Sequence, residues 1–213
     1  MTTEPSCSIR VGAVTPVTEA EGPGRRFAVW AQGCTIRCLG CFNPHLWNAA
    51  GGTDLNAEDL AQQAIDSDVE GVTLLGGEPF DQAEGFAAFA ARVRAAGLSV
   101  MTFTGHYLAD ITGPDAPPGA SDLLAQTDLL VDGPYIADDI DIDRPWIGSR
   151  NQGFHFLTDR YLHVQSELEL LPDRVEIRVS ARGEVRINGW ANVAMLDDLL
   201  SGTTAAVGRG AVR

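Results

Sequence analysis

No stretch of this sequence stays apolar for anything near the ~20 residues a helix needs to cross a bilayer, so a soluble chain is expected. The N-terminus, MTTEPSCSIR, has neither a basic start nor an apolar run before a small-residue cleavage site. Nothing there directs export, and the cytoplasm is the expected compartment. Positive charge is scarce: 15 basic residues stand against 29 acidic ones, for a formal charge of -14. A field of that sign repels nucleic acid and anionic lipid and argues against both as partners. Lysine is missing altogether; beside abundant Ala and Gly, this reflects a GC-rich genome and carries no mechanism. Cysteine is scarce too, at four in 213 residues, and three of the four fall within positions 34–41. Neighbours that close are poorly placed to pair with one another, and cytosolic thiols stay reduced, which argues against a disulfide framework. Clustered thiols in that setting point to metal.

What remains is ordinary globular sequence, 45% apolar and 21% charged, with a length suited to one domain. Residues 27–33 form an apolar run delivering the chain into the cysteine loop. Residues 56–66 suit a helix capped by Asn56, and 72–75 a strand stopped by Gly76-Gly77. Asp81 and Glu84 resemble a capping box for a helix through Arg94, with Gly97 as its stop. A strand is expected over 98–103, a Pro/Gly-rich stretch over 112–119, a short helix over 121–126 and a strand over 129–131. Strand, loop and helix in repetition predict an α/β fold, a partial (β/α) barrel with a mostly parallel sheet. Beyond 156 the pattern turns antiparallel, with strands at 161–165, 175–179 and 184–188 and a helix at 192–200. A single domain over 1–201 is therefore expected, its core motifs in 27–152 and its antiparallel extension in 156–201. The Gly/Ala/Thr-rich tail, 202–213, is expected to be disordered.

The notable segments 34–47, 76–80, 104–107 and 132–135 each follow a predicted parallel strand, and loops at that edge of such a sheet converge. In the first, Cys34-x-x-x-Cys38-x-x-Cys41 offers three thiolates, enough for three irons of a cubane with the fourth left open. A structural zinc site with Cys7 or His45 as fourth ligand is the competing reading, though such sites usually come as two short pairs and no second pair exists. In the second, Gly76-Gly77-Glu78-Pro79 exposes backbone at a strand end, where carbonyls and the Glu78 carboxylate suit an ammonium group; equally, Gly-Gly is turn chemistry and Glu-Pro a helix start.

CTIRCLGC together with GGEP resembles the radical S-adenosylmethionine (SAM) enzymes. More narrowly, GCTIRCLGCFNPHLW, FTGH, LLVDGPYI and GSRNQ, from roughly 27 to 152, are similar to activating proteins of anaerobic ribonucleoside-triphosphate reductases. Many radical SAM enzymes carry an aromatic residue just before the last cysteine; here that position is Gly40 and the aromatic is Phe42, in keeping with the activase branch. The resemblance implies one [4Fe-4S] cluster on Cys34, Cys38 and Cys41, and SAM cleaved reductively to methionine and a 5′-deoxyadenosyl radical. It implies SAM contacts from Gly40, Phe42, the Gly76–Pro79 segment and the Asp132-Gly133-Pro134 segment, with Thr104 and Gly105 as similar cases. Asp132 is equally a turn residue. Asn151 and Gln152 are candidates for SAM or partner contact, and Trp47 for packing over the cluster.

One spare cysteine leaves no room for an auxiliary cluster, so electrons would come from a flavodoxin or ferredoxin. Two enzyme classes fit: an activase that makes a glycyl radical on a partner reductase, and a stand-alone catalyst acting on a small metabolite or peptide. A zinc-bound interaction domain is the remote third. The absence of a dedicated substrate domain favours the activase.

Overall fold

In the computed structural model, the described residues are 7–171, 174–183 and 185–189. The expected helix at 192–200 and the tail from 202 lie outside them. In chain order come β1 (Ser8–Thr18), β2 (Arg26–Ala31), β3 (Thr53–Asn56), α1 (Ala57–Ile65), β4 (Gly71–Gly76), α2 (Ala83–Ala95) and β5 (Ser99–Phe103). Then follow α3 (Leu108–Thr112), α4 (Ala120–Gln126), β6 (Leu129–Asp132), β7 (Gly153–Phe156), α5 (Leu162–Gln165), β8 (Val175–Val179) and β9 (Val185–Gly189). Seven strands form one sheet in the order β3-β1-β2-β4-β5-β6-β7, parallel from β2 to β6. Among the described residues β3 and β7 are the edge strands, so there the α/β sheet is open and the barrel partial.

Alternation along the strands sends neighbouring side chains to opposite faces. Val72, Leu74, Val100 and Leu130 join Phe86, Phe89 and Leu60 in the helix-side core, while Met101, Leu129 and Val131 meet Ile147 and Tyr161 on the other face. Asn56 caps α1, its Oδ1 accepting the Glu58 and Asp59 N–H groups at 2.9 and 3.1 Å. Gly97, at φ +90°, takes the left-handed turn that follows α2. Among the described residues no helix is long and apolar enough to cross a membrane.

Three expectations need correction. The capping box at Asp81 and Glu84 does not form. Glu78 caps a 3-10 turn over Pro79–Gln82, α2 starts at Ala83 without a side-chain cap, and the Asp81 carboxylate reaches Thr35 instead. Residues 161–165 are helical, not a strand, because the Thr158 side chain caps the turn that leads into α5. β1, β3 and β7, absent from the sequence reading, flank the parallel strands; register shifts in β1 fall between Val11 and Ala13 and across Pro16, which has no N–H for a ladder.

At the N-terminal ends of the parallel strands, fully buried Arg26 donates to Thr73 Oγ1 at 3.0 Å, Ser99 Oγ and Tyr161 OH at 2.7 Å, and the Val72 carbonyl. Tyr161 OH in turn donates to Glu70 Oε1 at 3.0 Å. The guanidinium is thus hydrogen-bonded on several sides, as a buried cation requires.

Candidate functional site

The loops after β2, β4, β5 and β6 meet at the opposite edge of the sheet, around a cleft with about 570 Å³ of empty space open to solvent. Cys34, Cys38, Cys41, Gly76, Gly77 and Glu78 line it, with Thr104, Gly105 and Gly133 from the next two loops. Gly40, Phe42, Pro79, Asp132 and Pro134 are beside the cleft rather than on its wall.

The cysteine loop is held at both ends. Gly33 and Cys34 donate to the Leu46 and Trp47 carbonyls at 2.7 and 3.3 Å, and Pro44 opens a 3-10 turn that buries Leu46 beneath the loop. Gly40 has φ +80°, and a Cβ there would press on Ala137 Cβ at 3.0 Å, which explains why an aromatic residue does not occupy that position. Phe42 sits edge-on to Tyr135, ring centroids 5.5 Å apart, so the aromatic packs on the neighbouring loop. Trp47 lines the cleft, and its buried Nε1 has no hydrogen-bond partner among the described residues.

Gly77 and Glu78 donate to the Ala31 and Gly33 carbonyls, both at 2.8 Å, stitching the Gly-Gly turn to the end of β2. A Cβ on Gly77 would overlap the Gly33 carbonyl oxygen, so only glycine permits this approach. Glu78 is 1% exposed. Its Oε1 accepts Phe80 N–H and the Thr104 hydroxyl, each at 2.9 Å, and its Oε2 accepts Gly105 N–H at 2.8 Å. Burial pushes this carboxyl up to about 7; those three donors pull it down, and the Asp81 charge adds to the rise.

The remaining loops are braced from outside. Asp132 Oδ2 accepts the first N–H of α3, from Leu108, at 2.7 Å. His155 Nε2 lies 3.0 Å from Asp132 Oδ1, at ion-pair distance but off the line of a hydrogen bond. Asn151 Nδ2 donates to the Pro134 carbonyl at 2.8 Å and Gln152 Nε2 to that of Gly133 at 3.1 Å, so the GSRNQ segment clamps the Asp-Gly-Pro turn. Tyr135 falls within the LLVDGPYI motif, whereas Asp81, read from the sequence only as a helix cap, and His155 carry no sequence signal for their places beside the site.

The thiols suit iron-sulfur chemistry. Burial pushes Cys34 and Cys38 above the usual thiol range, while N–H groups of Arg37 and Ile36 on Cys34, and of Tyr135 on Cys38, pull the other way. A metal bound to the sulfurs would reverse that balance. Among the described residues no three His, Cys, Asp or Glu side chains are grouped as one ion would need, whereas in a multi-iron cluster each thiolate takes a different iron. The candidate zinc partners are elsewhere: Cys7 packs against the helix-side core and His45 is exposed outside the cleft.

Residues 20–155 match the family model described as a 4Fe-4S single cluster domain. The pyruvate formate-lyase-activating enzyme of Listeria monocytogenes is 39% identical over 95 residues, covering 42% of this chain but only 38% of that relative's length. The anaerobic ribonucleoside-triphosphate reductase-activating protein of Haemophilus influenzae is 30% identical over 151 residues, covering 66% of this chain and 93% of that one. The crystal structure of QueE from Escherichia coli superposes with a TM-score of 0.42 at 17% identity, over 57% of this chain and 68% of that one. On the extent of the family match and the near-complete coverage of the Haemophilus relative, the chain belongs to the 4Fe-4S single cluster domain family of radical SAM proteins.

Proposed function

We propose that this chain is a radical SAM activase that makes a glycyl radical on a partner enzyme of the anaerobic ribonucleotide reductase type. The observation that carries the reading is the meeting of Cys34, Cys38 and Cys41 with the Gly76-Gly77-Glu78 turn around one cleft. The three thiolates would hold one [4Fe-4S] cluster; the Gly-Gly turn, with Thr104 and Gly133 opposite, would seat SAM. When bound, cluster and SAM together supply reductive cleavage to a 5′-deoxyadenosyl radical. The chain's own part is to position the thiolates, hold the turn against β2 and leave the mouth open to a large acceptor. A flavodoxin or ferredoxin would deliver the electron.

Anaerobic reconstitution should bind about four iron and four sulfide per chain. Cys34→Ala, Cys38→Ala and Cys41→Ala should each abolish this, and Cys7→Ala should not. With a ribonucleotide-reductase-like partner, reduced enzyme and SAM, a persistent glycyl-radical doublet should appear by electron paramagnetic resonance. Turnover of a small molecule or peptide without any doublet would instead identify a stand-alone catalyst.

A further inference from the structure

The edge strand β7 carries a side chain that reaches back toward the site. In the β6–β7 register Asp132 stands opposite Gly153 and Leu130 opposite His155, so His155 is the diagonal neighbour of Asp132 on the same face of the sheet. Its Nε2 is closed to water and has no hydrogen-bond partner among the described residues; the acid it faces is the Asp132 carboxylate, 3.0 Å away. Gly153 leaves the room for this approach, since a Cβ there would stand 2.8 Å from Asp132 Oδ1 and 3.4 Å from His155 Nε2. The other oxygen of the same buried carboxylate accepts the Leu108 N–H at the start of α3. Asp132 therefore links β7 to the loop that brings Thr104 and Gly105 to the cleft. Gly133, next in the chain, lines the same cleft and donates its N–H to the His106 carbonyl at 2.9 Å.

We infer that His155 is a positioning residue for SAM binding, acting through Asp132. The inference rests on the reading of the cleft as the SAM seat. An aspartate carboxylate turns readily about its last side-chain bond, and a single anchor on Leu108 leaves that rotation free. The imidazole on the second oxygen removes it. With the carboxylate plane fixed, the loops after β5 and β6 keep one spacing, and Thr104, Gly105 and Gly133 meet the ligand in a set arrangement. Gly153 belongs to the same device as the gap through which the two side chains meet.

The test uses oxidised, reconstituted holoenzyme, in which SAM binds without being cleaved, and isothermal titration calorimetry. His155→Ala should weaken SAM binding by about tenfold, with iron and sulfide content unchanged. On reduction the loss should fall on KM for SAM, with kcat for cleavage within about twofold of wild type. His155→Gln, whose side-chain amide also offers an N–H donor, should recover most of the affinity. Gly153→Ala, which drives Asp132 Oδ1 from its place, should match His155→Ala, and the double variant should bind no more weakly than either alone because both break one contact. Wild-type affinity in His155→Ala, a glutamine variant no better than the alanine one, or losses that add in the double variant would each overturn the assignment. Failure of the cleft reading registers separately, as wild-type holoenzyme that binds no SAM.

Discussion

Both carboxylate oxygens of Asp81 are engaged by Thr35, one by its backbone N–H and the other by its hydroxyl, each at 2.8 Å. Thr35 directly follows the first cysteine, so this pair ties the start of the cysteine loop to the segment after the Gly-Gly turn. Asp81→Ala removes two hydrogen bonds worth about 1 kcal/mol each and should open the loop roughly 5–30-fold more often. Iron loss from the reconstituted protein to a chelator should accelerate accordingly, with Asp81→Asn intermediate and the far-ultraviolet circular dichroism unchanged. Equal release rates would mean that the loop is fixed by its other anchors alone.

Glu78 makes the stability of the cluster-free chain depend on pH. Its folded value, about 7, is above the ordinary 4.5 because burial outweighs its three donors. A raised folded value gives a contribution fully present below about 4.5 and lost as pH rises through about 7. Glu21, raised to about 7 by burial and the nearby Glu176 charge although it accepts the Gly189 N–H, adds a slope of the same sign. Denaturant unfolding should therefore show falling stability across that window, by at most about 3 kcal/mol for Glu78. Glu78→Gln and Glu21→Gln should each flatten the profile, and a rise with pH in wild type would contradict both assignments.

Glu78→Ala should separate SAM affinity from cluster content. The substitution leaves Phe80 N–H, Gly105 N–H and the Thr104 hydroxyl without their common acceptor, at about 1–3 kcal/mol for each buried orphan. SAM binding should weaken by about tenfold or more, since 1.4 kcal/mol is a factor of ten, while iron and sulfide stay at wild-type stoichiometry. Thr104→Val, which cuts one arm of the brace, should have a smaller effect. Unchanged SAM affinity in Glu78→Ala would assign recognition to the Gly76 and Gly77 backbone alone.

Arg26→Met should destabilise the chain by about 1–3 kcal/mol for each buried acceptor it leaves unpaired, and lower the denaturation midpoint. SAM cleavage per folded molecule should match wild type, because Arg26 and its partners Ser99 and Tyr161 are at the other end of the strands from the cleft. A parallel loss of activity in the folded fraction would show that the two ends are coupled.

The parallel strands could be read because each is a short apolar run with a glycine or an acid-capped helix beside it. Gly76-Gly77, Asn56 and Gly97 act through local backbone geometry, which sequence carries directly. β1 was hidden by Gly12 and Pro16 within irregular pairing, and β7 by having only four residues, all half-buried. Residues 161–165 misled because Tyr and Val favour strands, while the cap from Thr158 and the burial of Tyr161 decided otherwise. Within the site, contiguous motifs were legible and their cross-loop partners were not. That Asp81 grips Thr35, that Glu78 ties Thr104 to Gly105, or that Asn151 holds Pro134 depends on which loops the topology brings together.

The buried Arg26 network also bears on how such a protein can diverge. Because the rigidity of the central strands is secured at their start, the segments leaving their far ends are free to accumulate substitutions without endangering the fold. The Gly77 approach to Gly33 is fixed by geometry, but the exposed Ile140 and Ile142 side chains are not. Under the proposed activase function, a lineage would change its partner by altering a few such side chains, long before it altered its chemistry.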